Sequence, residues 1–591
     1  MTSAVEHHTV VQINVADRLA HFAQRMPLSV AVACPGHGDA AGRNSYATCT
    51  FAELDRDATA LARGLVDLGV TPGTRLVLLV KPGVEFVKLV FALLRSGATT
   101  ILIDPGMGKK HLVNCLAAAE PAGFVAISPA QAVRTLLKSR FPQAKLNVTV
   151  GRRWFWGGTT YKQLLSAGTN SGTRLPTSRA TDPAAIIFTS GSTGPPKGVL
   201  YTHQMFDTQV AEIRREYDLQ PGGADLACFA LFGLFNSAMG ITTVFPKMDF
   251  SRPASADPRK LLSAASDWQV TQAFGSPAVW DKLSRYCEHH GEQIPTLRKI
   301  FSCGAPVPAK VLQRTLAYVD AYAEMHTPYG ATESLPVATI AASEVLSETA
   351  EQTACGAGVC VGRKFESIDW RVIRISDEPI TNIADVEELP MGEIGELIVR
   401  GPQVSPQYDG ELRVASCELR EKESTRVSKL ASHNSMTKIT DGISIWHRMG
   451  DVGYLDSQGR FWYCGRKNHR IETSEGTLFS VPCEEIFNTH PDVARTALVG
   501  IGPAGGATPL LVVEPSGTLL RRCGKNWSRS DYHRLQAELL ELAKGYEITK
   551  HIAQPIFHPG LPVDVRHNSK INREQLAKWA TRELGGHKLQ H

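Results

Sequence analysis

Three features are missing from this chain of 591 residues, and each absence argues against a class of protein. The twelve cysteines are scattered singly with no Cys-x-x-Cys pair, which argues against a structural zinc site. No apolar run approaches the length of about 20 residues that a helix needs to cross a bilayer. Lysine and arginine form no dense block and the net charge is +5, so nucleic-acid binding is not indicated.

The first residues do not predict a secreted protein. Residues 1–8 contain no basic region followed by an apolar one, so no secretory signal peptide is expected. Unpaired thiols are typical of a reducing compartment, and we therefore predict a cytoplasmic protein that is not transmembrane. A hydrophobic content of 43% with 20% charged residues fits an ordinary folded protein, and the length predicts several lobes.

Strand-like and helix-like segments alternate through the first 300 residues. Alternation of this kind predicts an α/β fold, with lobes of mostly parallel sheet and helices on the sheet faces. The predicted helices are 53–68, 83–96 and 109–119, and the predicted strands are 75–80, 99–103, 123–127, 184–188, 227–231, 242–246, 270–274 and 299–303.

The pattern changes after residue 368. Strands at 368–375 and 393–400 follow each other without long helices, and 454–463 has the pattern of a hairpin that turns at 457–459. These segments predict a small antiparallel or β-barrel-like lobe. Residues 409–440 are polar with no clear apolar face, which leaves a functional loop, a helical insertion or a mobile segment as alternatives.

A second domain is predicted at the C-terminal end. The polar run 465–470 precedes a segment with its own pattern, so we expect an N-terminal domain at 1–466 and a smaller α+β domain at 467–591. Its predicted elements are a helix at 482–488, strands at 494–499 and 509–513, and helices at 531–544 and 573–584.

The most informative stretch is the loop from Thr189 to Gly198, which follows the predicted strand 184–188. Its glycines let the backbone approach a ligand, its hydroxyls donate to phosphate oxygens, and Lys197 adds a positive charge. The loop differs from the common NTPase P-loop, which needs Gly-Lys followed by Ser or Thr. A flexible surface loop is the alternative, since such clusters are often plain loops.

Three further motifs occur downstream in a fixed order. They are Tyr329-Gly330-Ala331-Thr332-Glu333, then Arg448-Met449-Gly450-Asp451, and then Gly465-Arg466 with Lys570 near the end. With the loop at 189–198, these motifs resemble those of the adenylate-forming superfamily, which includes acyl-CoA synthetases, peptide-synthetase adenylation domains and luciferases. The resemblance covers roughly residues 15–585 and implies that a carboxylate attacks the α-phosphate of ATP, giving an acyl-adenylate and pyrophosphate.

The resemblance also implies roles for individual residues. Glu333 corresponds to the ligand of Mg²⁺, a hard cation that prefers oxygen, and Thr332 to a contact of the α-phosphate. Asp451 corresponds to the carboxylate that binds the ribose, and Arg466 to a residue that supports the ribose and the phosphate. The β- and γ-phosphates are expected on Thr189, Ser190, Gly191, Ser192, Thr193, Gly194 and Lys197, and the adenine on Gly304, Ala305, Pro306, Tyr329 and Gly330.

Two features of the family's C-terminal domain have counterparts here. Lys570 resembles the lysine that bridges the carboxylate and the α-phosphate, although Ser569 stands where the family usually has glycine. An ordinary surface lysine is the alternative. The join at 466–469 resembles the hinge about which that domain rotates, and Asn468 tolerates unusual backbone angles.

The expected acyl site has no histidine. The segment 230–236 lacks the one that acyl-CoA synthetases commonly carry after the phosphate loop. An apolar acyl pocket is therefore expected, with ordinary core packing as the alternative for each residue. The expected lining residues are Phe229, Phe232, Phe235 and Met239.

Segments 445–454, 465–473 and 562–568 resemble one branch of the superfamily, the β-lactone synthetases of bacterial long-chain olefin biosynthesis. That branch activates a 2-alkyl-3-hydroxy fatty acid with ATP and closes the 3-hydroxyl onto the activated carboxyl, releasing AMP. It implies a β-hydroxy fatty acid as substrate and other olefin-pathway enzymes as partners. His469, just after the hinge, is a candidate base for the hydroxyl proton, with a solvated linker histidine as the alternative.

Three other functions compete with this interpretation. Fatty acyl-CoA or acyl-AMP ligation is the alternative within the superfamily. Gly358-Val359-Cys360-Val361-Gly362 has the spacing of a nucleophile elbow, which would indicate a thiol hydrolase, but no clear strand and helix flank it. A silent binding protein is the last alternative, and the complete motif set argues against it.

Overall fold

The structure is a computed structural model that describes residues 11–36, 45–188, 197–409, 434–517, 519, 529–563 and 571–587. The α-helices among these residues are α1 Asp17–Arg25, α2 Phe51–Asp67, α3 Val84–Arg95, α4 Lys109–Ala118, α5 Ser128–Leu136, α6 Tyr161–Thr169, α7 His203–Glu216, α8 Ala230–Met239, α9 Pro258–Asp267, α10 Pro277–His290, α11 Ala309–Leu316, α12 Ala342–Glu344, α13 Ala350–Ala354, α14 Ser480–Asn488, α15 Arg529–Lys544 and α16 Arg573–His587.

The strands form several sheets. They are β1 Val30–Pro35, β2 Tyr46–Thr50, β3 Arg75–Leu79, β4 Thr99–Leu102, β5 Gly123–Ile127, β6 Leu146–Val150, β7 Thr159–Thr160, β8 Pro183–Phe188, β9 Gly198–Thr202, β10 Ala224–Ala227, β11 Thr242–Val244, β12 Gln272–Gly275, β13 Lys299–Ser302, β14 Glu324–His326, β15 Tyr329–Ala331, β16 Ser334–Thr339, β17 Val359–Cys360, β18 Arg363–Lys364, β19 Asp369–Ile373, β20 Gly395–Arg400, β21 Lys438–Asp441, β22 Ser444–Leu455, β23 Phe461–Arg466, β24 Ile471–Thr473, β25 Gly476–Leu478, β26 Val493–Ile501, β27 Thr508–Pro515 and β28 Ala553–Phe557.

Two seven-stranded sheets account for the first 330 residues. The first has the order β7-β6-β5-β3-β4-β8-β9, and all its neighbours are parallel except β8 and β9. The second has the order β14-β13-β12-β10-β11-β1-β2, parallel except for the N-terminal hairpin β1–β2. The predicted α/β class with parallel-sheet lobes is confirmed.

Local sequence explains where the helices of these lobes begin. At α2, the Thr50 hydroxyl accepts the Glu53 amide at 3.2 Å, and the Glu53 carboxylate accepts the Thr50 amide at 2.9 Å. This reciprocal pair is a capping box, which satisfies two amides that the helix itself leaves without partners. The apolar faces of α2 and α3 then pack into the main core, which also includes residues of the next lobe such as Phe461.

A third lobe is antiparallel. Its main sheet has the order β17-β23-β22-β20-β19, with β21 also paired to β22. Beyond β20 the chain returns to the first lobe, where the Asp409 amide donates to Gly198 O at 2.7 Å. The Arg75 guanidinium, on β3, donates two hydrogen bonds of 2.6 and 3.2 Å to the Asp409 carboxylate. An ion pair therefore holds Asp409 against the first lobe in addition to the backbone hydrogen bond.

The residues after 470 form elements with their own apolar cores. The sheet β26-β27-β28 has one core beneath α14 and α15 and another against α16. Both cores consist of residues numbered 471 or higher. The division at 466/467 remains a prediction, because packing within one arrangement does not test independent movement.

The structure differs from the sequence-based expectation at 227–231 and describes only part of the segment 409–440. The strand predicted at 227–231 is wrong, because β10 ends at Ala227 and α8 begins at Ala230. An apolar run of that length fits either a strand or a buried helix, and no turn residue marked the change. In the polar stretch 409–440, residues 410–433 lie outside the described residues, and Lys438–Asp441 is strand β21, paired with β22.

Candidate active site

Several predicted site residues lie outside the described residues. They are Thr189, Ser190, Gly191, Ser192, Thr193, Gly194 and Lys570, together with the side chain of Phe232. Their predicted roles stay predictions. The phosphate-type loop joins β8 to β9, and its described end is Lys197, immediately before β9. Gly198 is confined there, since an added Cβ would lie 2.7 Å from Ile186 Cγ2.

Three predicted residues meet on the third lobe and are called here the Asp451 cluster: Tyr329, Asp451 and Arg466. Asp451 on β22 lies opposite Arg466 on β23, and Arg466 Nε is 3.1 Å from Asp451 Oδ1. The Tyr329 hydroxyl donates to Asp451 Oδ2 at 2.5 Å. The side chain of Asp451 is only 7% exposed, so the ion pair with Arg466 and the hydrogen bond from Tyr329 help to offset the cost of burying its charge.

A second group, called here the Glu333 cluster, consists of Lys197, Glu333, Tyr408 and Lys438. Thr332 and Glu333 are the two residues at the tip of the β15–β16 hairpin, since Ala331 pairs with Ser334. The Tyr408 hydroxyl donates to Glu333 Oε1 at 2.7 Å. Tyr408 was not predicted from the sequence, because it follows an irregular polar segment and carries no motif.

Lysines approach Tyr408 as well. Lys197 Nζ lies 5.8 Å from the centroid of its ring, and Lys438 Nζ lies 5.6 Å from it. Burial lowers the pKa of Lys197, and the Glu333 carboxylate partly opposes this effect. Lys438 also donates to Ser405 O at 2.5 Å. Positive charge is therefore concentrated around one tyrosine beside the hairpin tip.

The two clusters belong to one electrostatic environment. Asp451 raises the pKa of Arg466, with a smaller effect from Glu333, so the guanidinium stays charged. Burial and the nearby Glu333 raise the pKa of Tyr408, which keeps its hydroxyl protonated as a donor. Phosphate groups bound in this region would be attracted by the lysines of the Glu333 cluster and by Arg466. Hydroxyl groups of the same ligand could donate hydrogen bonds to Asp451.

The other predicted adenine contacts lie on a neighbouring loop. Gly304, Ala305 and Pro306 follow β13, at the carboxyl end of a parallel strand, where ligands bind in open α/β sheets. Gly304 has φ +96°, a conformation that favours glycine. Gly330 is likewise confined, since an added Cβ would lie 2.7 Å from Ser334 O.

Phe235 and Met239 lie on α8 and Phe229 immediately precedes it, and the three side chains make separate contacts. Phe229 packs near Phe274, with ring centroids 6.2 Å apart, and Phe235 near Phe206 at 5.9 Å. Met239 is 2% exposed and belongs to the main core. Whether these residues line an acyl pocket stays a prediction.

A chain of contacts joins α8 to the hairpin tip. The ring of Phe206, which packs on Phe235, also lies 5.0 Å from that of Tyr201, and the Tyr201 hydroxyl donates to Thr332 O at 2.6 Å. Neither Tyr201 nor Phe206 was predicted from the sequence, since they belong to no motif and lie on β9 and α7 like ordinary structural residues. Packing thus connects α8 to Thr332, the predicted contact of the α-phosphate.

Arg448 belongs to one of the recognised motifs, and its side chain binds a different carboxylate, that of Glu396. It is buried, and its Nη2 donates to Glu396 Oε2 at 2.5 Å and to Ser376 O at 2.5 Å. Lys467 Nζ lies 3.3 Å from the same Glu396 oxygen. One buried carboxylate thus joins a motif arginine to the first residue of the predicted C-terminal domain.

His469 is partly buried and is affected by the charges of two arginines. Burial, with the charges of Arg573 and Arg466, lowers the pKa of His469 to about 3. Arg573 itself is paired with Glu484, its Nη2 lying 2.8 Å from the carboxylate. In this arrangement the imidazole is neutral and a weak base.

Cys360, the centre of the elbow-like sequence, has no features of a nucleophile. It lies on β17, which pairs antiparallel with β23, rather than on a strand-to-helix turn. The thiol is buried, and this burial raises its pKa to about 12, so it stays protonated. The structure therefore gives no support to a thiol hydrolase.

The fold and the site together define a class. Two parallel-sheet lobes and an antiparallel lobe surround a carboxylate–guanidinium pair, a glutamate at a hairpin tip, and a lysine that ends a Gly-rich loop. This combination is that of an adenylate-forming enzyme.

Comparisons with known proteins agree with this class. The AMP-binding enzyme family matches residues 19–409, and the chain belongs to that family. An olefin beta-lactone synthetase from Xanthomonas campestris is 42% identical over 96% of this chain and 98% of its own length. One from Stenotrophomonas maltophilia is 42% identical over 97% of this chain and 98% of its own.

A solved structure supports the fold. The crystal structure of ATP-bound MatB from Rhodopseudomonas palustris superposes with a TM-score of 0.69, covering 95% of this chain and 98% of that one. The two sequences are 19% identical, so this likeness concerns the fold. In the part of the chain that the structure describes, no helix is both long and apolar enough to cross a membrane.

Proposed function

We propose that this enzyme activates a 2-alkyl-3-hydroxy fatty acid with ATP and closes it to a β-lactone. The observation that carries the proposal is the 42% identity, over nearly the whole chain, to two olefin beta-lactone synthetases. The Asp451 and Glu333 clusters support the ATP-dependent part, since both keep the residue types that the adenylation chemistry requires.

ATP would be bound at its ribose by one cluster and at its phosphates by the other. Asp451 would accept hydrogen bonds from ribose hydroxyls, with Arg466 fixing the carboxylate. Lys197 and the loop 189–194 would bind the β- and γ-phosphates. Glu333 fits a magnesium ligand, because Mg²⁺ is usually held by one or two carboxylates plus phosphate oxygens and water. The Tyr408 hydroxyl donates to Oε1 of Glu333 and so restricts the orientation of the carboxylate.

In the first step, a carboxylate oxygen of the fatty acid attacks the α-phosphorus and pyrophosphate leaves. Two anions must approach each other, so the cationic groups Lys197, Arg466 and Lys570 would offset the charge. Thr332 would contact the α-phosphate from the hairpin tip. The contacts from Thr332 through Tyr201 and Phe206 to Phe235 would hold the hairpin tip at a constant position relative to an acyl chain bound beside α8.

In the second step, the 3-hydroxyl oxygen attacks the activated carbonyl carbon, AMP leaves, and the hydroxyl proton passes to a base. The strained four-membered ring forms because AMP is a good leaving group and because water, which would hydrolyse the adenylate, is kept out. His469 is the base we propose. Its pKa of about 3 beside Arg466 and Arg573 means that the role requires it to move away from these charges.

Such a movement agrees with a rotating C-terminal domain that starts at residue 467. Lys467 is anchored to Glu396 and Ser376 O, whereas the side chain of Asn468 is exposed. We therefore propose that the pivot lies at 468–469, just after the anchored lysine. We also infer a cytoplasmic enzyme that receives its substrate from, and passes its product to, other enzymes of olefin synthesis.

Product identification tests the proposal. The purified protein is incubated with ATP, Mg²⁺ and a 2-alkyl-3-hydroxy fatty acid, with and without coenzyme A, and the products are analysed by mass spectrometry. We expect a product lighter than the acid by one water, formed with AMP and without coenzyme A. The same acid without its 3-hydroxyl serves as the control and should give no such product. A thioester that forms only with coenzyme A would instead establish an acyl-CoA ligase.

A further inference from the structure

An exposed aromatic loop lies far from the active site. Residues 151–158, called here the tryptophan loop, join β6 to β7 at one edge of the first sheet. The opposite edge of that sheet is β9, which Lys197 precedes. The nucleotide clusters therefore give no reason for the composition of this loop, which reads Arg152-Arg153-Trp154-Phe155-Trp156.

One tryptophan anchors the loop and its neighbours project outward. Trp156 is 4% exposed, and its indole donates to the Thr149 hydroxyl at 2.9 Å. Trp154 is 60% exposed and Phe155 is 73% exposed. Each of the two rings lies against Trp156, at centroid distances of 5.6 and 5.2 Å. Two adjacent large aromatic side chains held in solvent are costly unless they are buried in another phase or partner.

The loop has a defined conformation. Ser128, the first residue of α5, donates to Arg152 O at 2.5 Å, and the Arg153 guanidinium bonds Gly158 O across the loop. Arg152 and Arg153 are themselves exposed. A preorganised loop binds at a smaller entropic cost than one that must be ordered.

The lobe around the loop is strongly positive. Residues 105–181 contain eleven lysines and arginines and one acidic residue, Glu120, which gives this segment a charge of +10. The whole chain carries +5, so the remainder is net negative. Every one of the eleven except Arg134 is exposed. The surplus is spread over 77 residues, which is why no dense basic run is visible in the sequence.

We propose that the tryptophan loop docks the enzyme peripherally on an anionic lipid bilayer. Tryptophan prefers the boundary between headgroups and acyl chains, where its indole is partly apolar and partly polar. Arginines beside it pair with lipid phosphates, and the positive lobe is attracted to an anionic surface over the Debye length. A loop that combines exposed Trp and Phe with two arginines at its tip suits this interface better than an aqueous partner surface.

Vesicle co-sedimentation of the full-length enzyme tests this proposal. Vesicles of phosphatidylcholine with phosphatidylglycerol are compared with vesicles of phosphatidylcholine alone, at low and high NaCl. We expect binding to the anionic vesicles that weakens in high salt. The double variants W154A/F155A and R152Q/R153Q should each weaken that binding about tenfold or more.

Matched controls separate this surface from general exposure. Y322A/I443A removes two exposed apolar side chains elsewhere, and R259Q/R298Q removes two exposed arginines, so both should bind as the wild type does. AMP release should be unchanged in the loop variants, which distinguishes this proposal from the proposed function. If the wild type ignores anionic vesicles, or if the loop variants bind normally, the proposal is wrong. Loss of a protein complex in W154A/F155A without any vesicle binding would also overturn it.

Discussion

The Tyr329 hydroxyl donates a hydrogen bond of 2.5 Å to Oδ2 of Asp451. Burial and the Asp451 charge raise the pKa of Tyr329 well above its usual value, so this phenol remains a donor. The sequence predicted that Tyr329 would stack on adenine and that Asp451 would bind ribose. The hydrogen bond connects the predicted adenine contact to the predicted ribose contact, so a shift of the Tyr329 side chain would also shift the Asp451 carboxylate.

The first prediction concerns this pair. Asp451→Asn should raise the KM for ATP about tenfold to hundredfold, because an amide replaces a charged acceptor. Tyr329→Phe should have a smaller effect, since it removes the orienting bond and keeps the carboxylate. Pyrophosphate release at varied ATP measures both. Asp369→Asn, which changes an exposed carboxylate at the start of β19, is the control, and an equal effect in that variant would refute a specific role.

The second prediction concerns magnesium. Glu333→Gln should raise the Mg²⁺ concentration needed for half-maximal pyrophosphate release and lower kcat/KM about a hundredfold. Tyr408→Phe should change the same Mg²⁺ dependence less, because it removes the bond to Oε1 alone. Mg²⁺ titrations of both variants at saturating ATP measure these shifts. An unchanged Mg²⁺ requirement in Glu333→Gln would remove this residue from the metal site.

The third prediction separates structure from nucleotide binding. Arg448→Met should destabilise the fold by about 2–4 kcal/mol, because the buried Glu396 loses its closest cationic partner while Lys467 remains, and the carbonyls of Ser376 and Glu378 lose a donor. The KM for ATP should stay near that of the wild type in the folded fraction. Urea denaturation and ATP kinetics measure the two effects. Arg363→Met, whose side chain is 52% exposed, should change stability by less than about 1 kcal/mol.

The fourth prediction is a pH dependence of stability. Asp225 is buried on β10 beside Asn236, and burial raises its pKa to about 7. The folded state therefore binds this proton more tightly than the unfolded state does. Its contribution to stability is complete below the unfolded pKa near 4 and is lost as the pH rises through about 7.

The amide variant tests that sign. Asp225→Asn mimics the protonated carboxyl, so it should remove up to about 1.4 kcal/mol per pH unit of slope between pH 4 and 7. Urea midpoints at several pH values measure the slope. Asp441→Asn, which changes a half-exposed carboxylate, is the control. The same slope in the wild type and in Asp225→Asn would contradict the assignment.

The fifth prediction concerns the proposed base. His469→Ala should keep ATP–pyrophosphate exchange, which reports adenylate formation, and slow lactone formation about a hundredfold. Exchange and lactone yield are measured on the same preparation, with His551→Ala as a control for an exposed histidine of the same domain. Lactone formation at the rate of the wild type would show that another group takes the proton.

Most elements of the fold could be predicted from the sequence, whereas fewer of the contacts between side chains could. The parallel lobes followed from alternating periodicities, and the turn at 457–459 from its polar residues. The boundary near 227–231 was missed, because an apolar run has no period that separates a strand from a helix. Asp451 and Arg466 were found because they lie in motifs. Tyr408 and Tyr201 were not, because their partners are 75 and 131 residues away and only the fold brings them together.

Arg448 shows that a residue can lie in a recognised motif without contacting the substrate itself. Its motif was recognised correctly, yet its side chain binds Glu396 and the backbone rather than the region of the nucleotide. A motif marks residues that occur together, and some of them support the others instead of contacting the substrate. Three-dimensional contacts were needed to separate these two roles.

Oxygen-18 tracing tests the central claim most directly. A 2-alkyl-3-hydroxy fatty acid labelled at both carboxylate oxygens is converted with unlabelled ATP, and AMP and product are analysed by mass spectrometry. If the carboxyl is adenylated and the hydroxyl closes the ring, AMP carries one labelled oxygen and the lactone carries the other. If the hydroxyl were activated instead, both labels would stay in the lactone and AMP would be unlabelled, which would contradict the account.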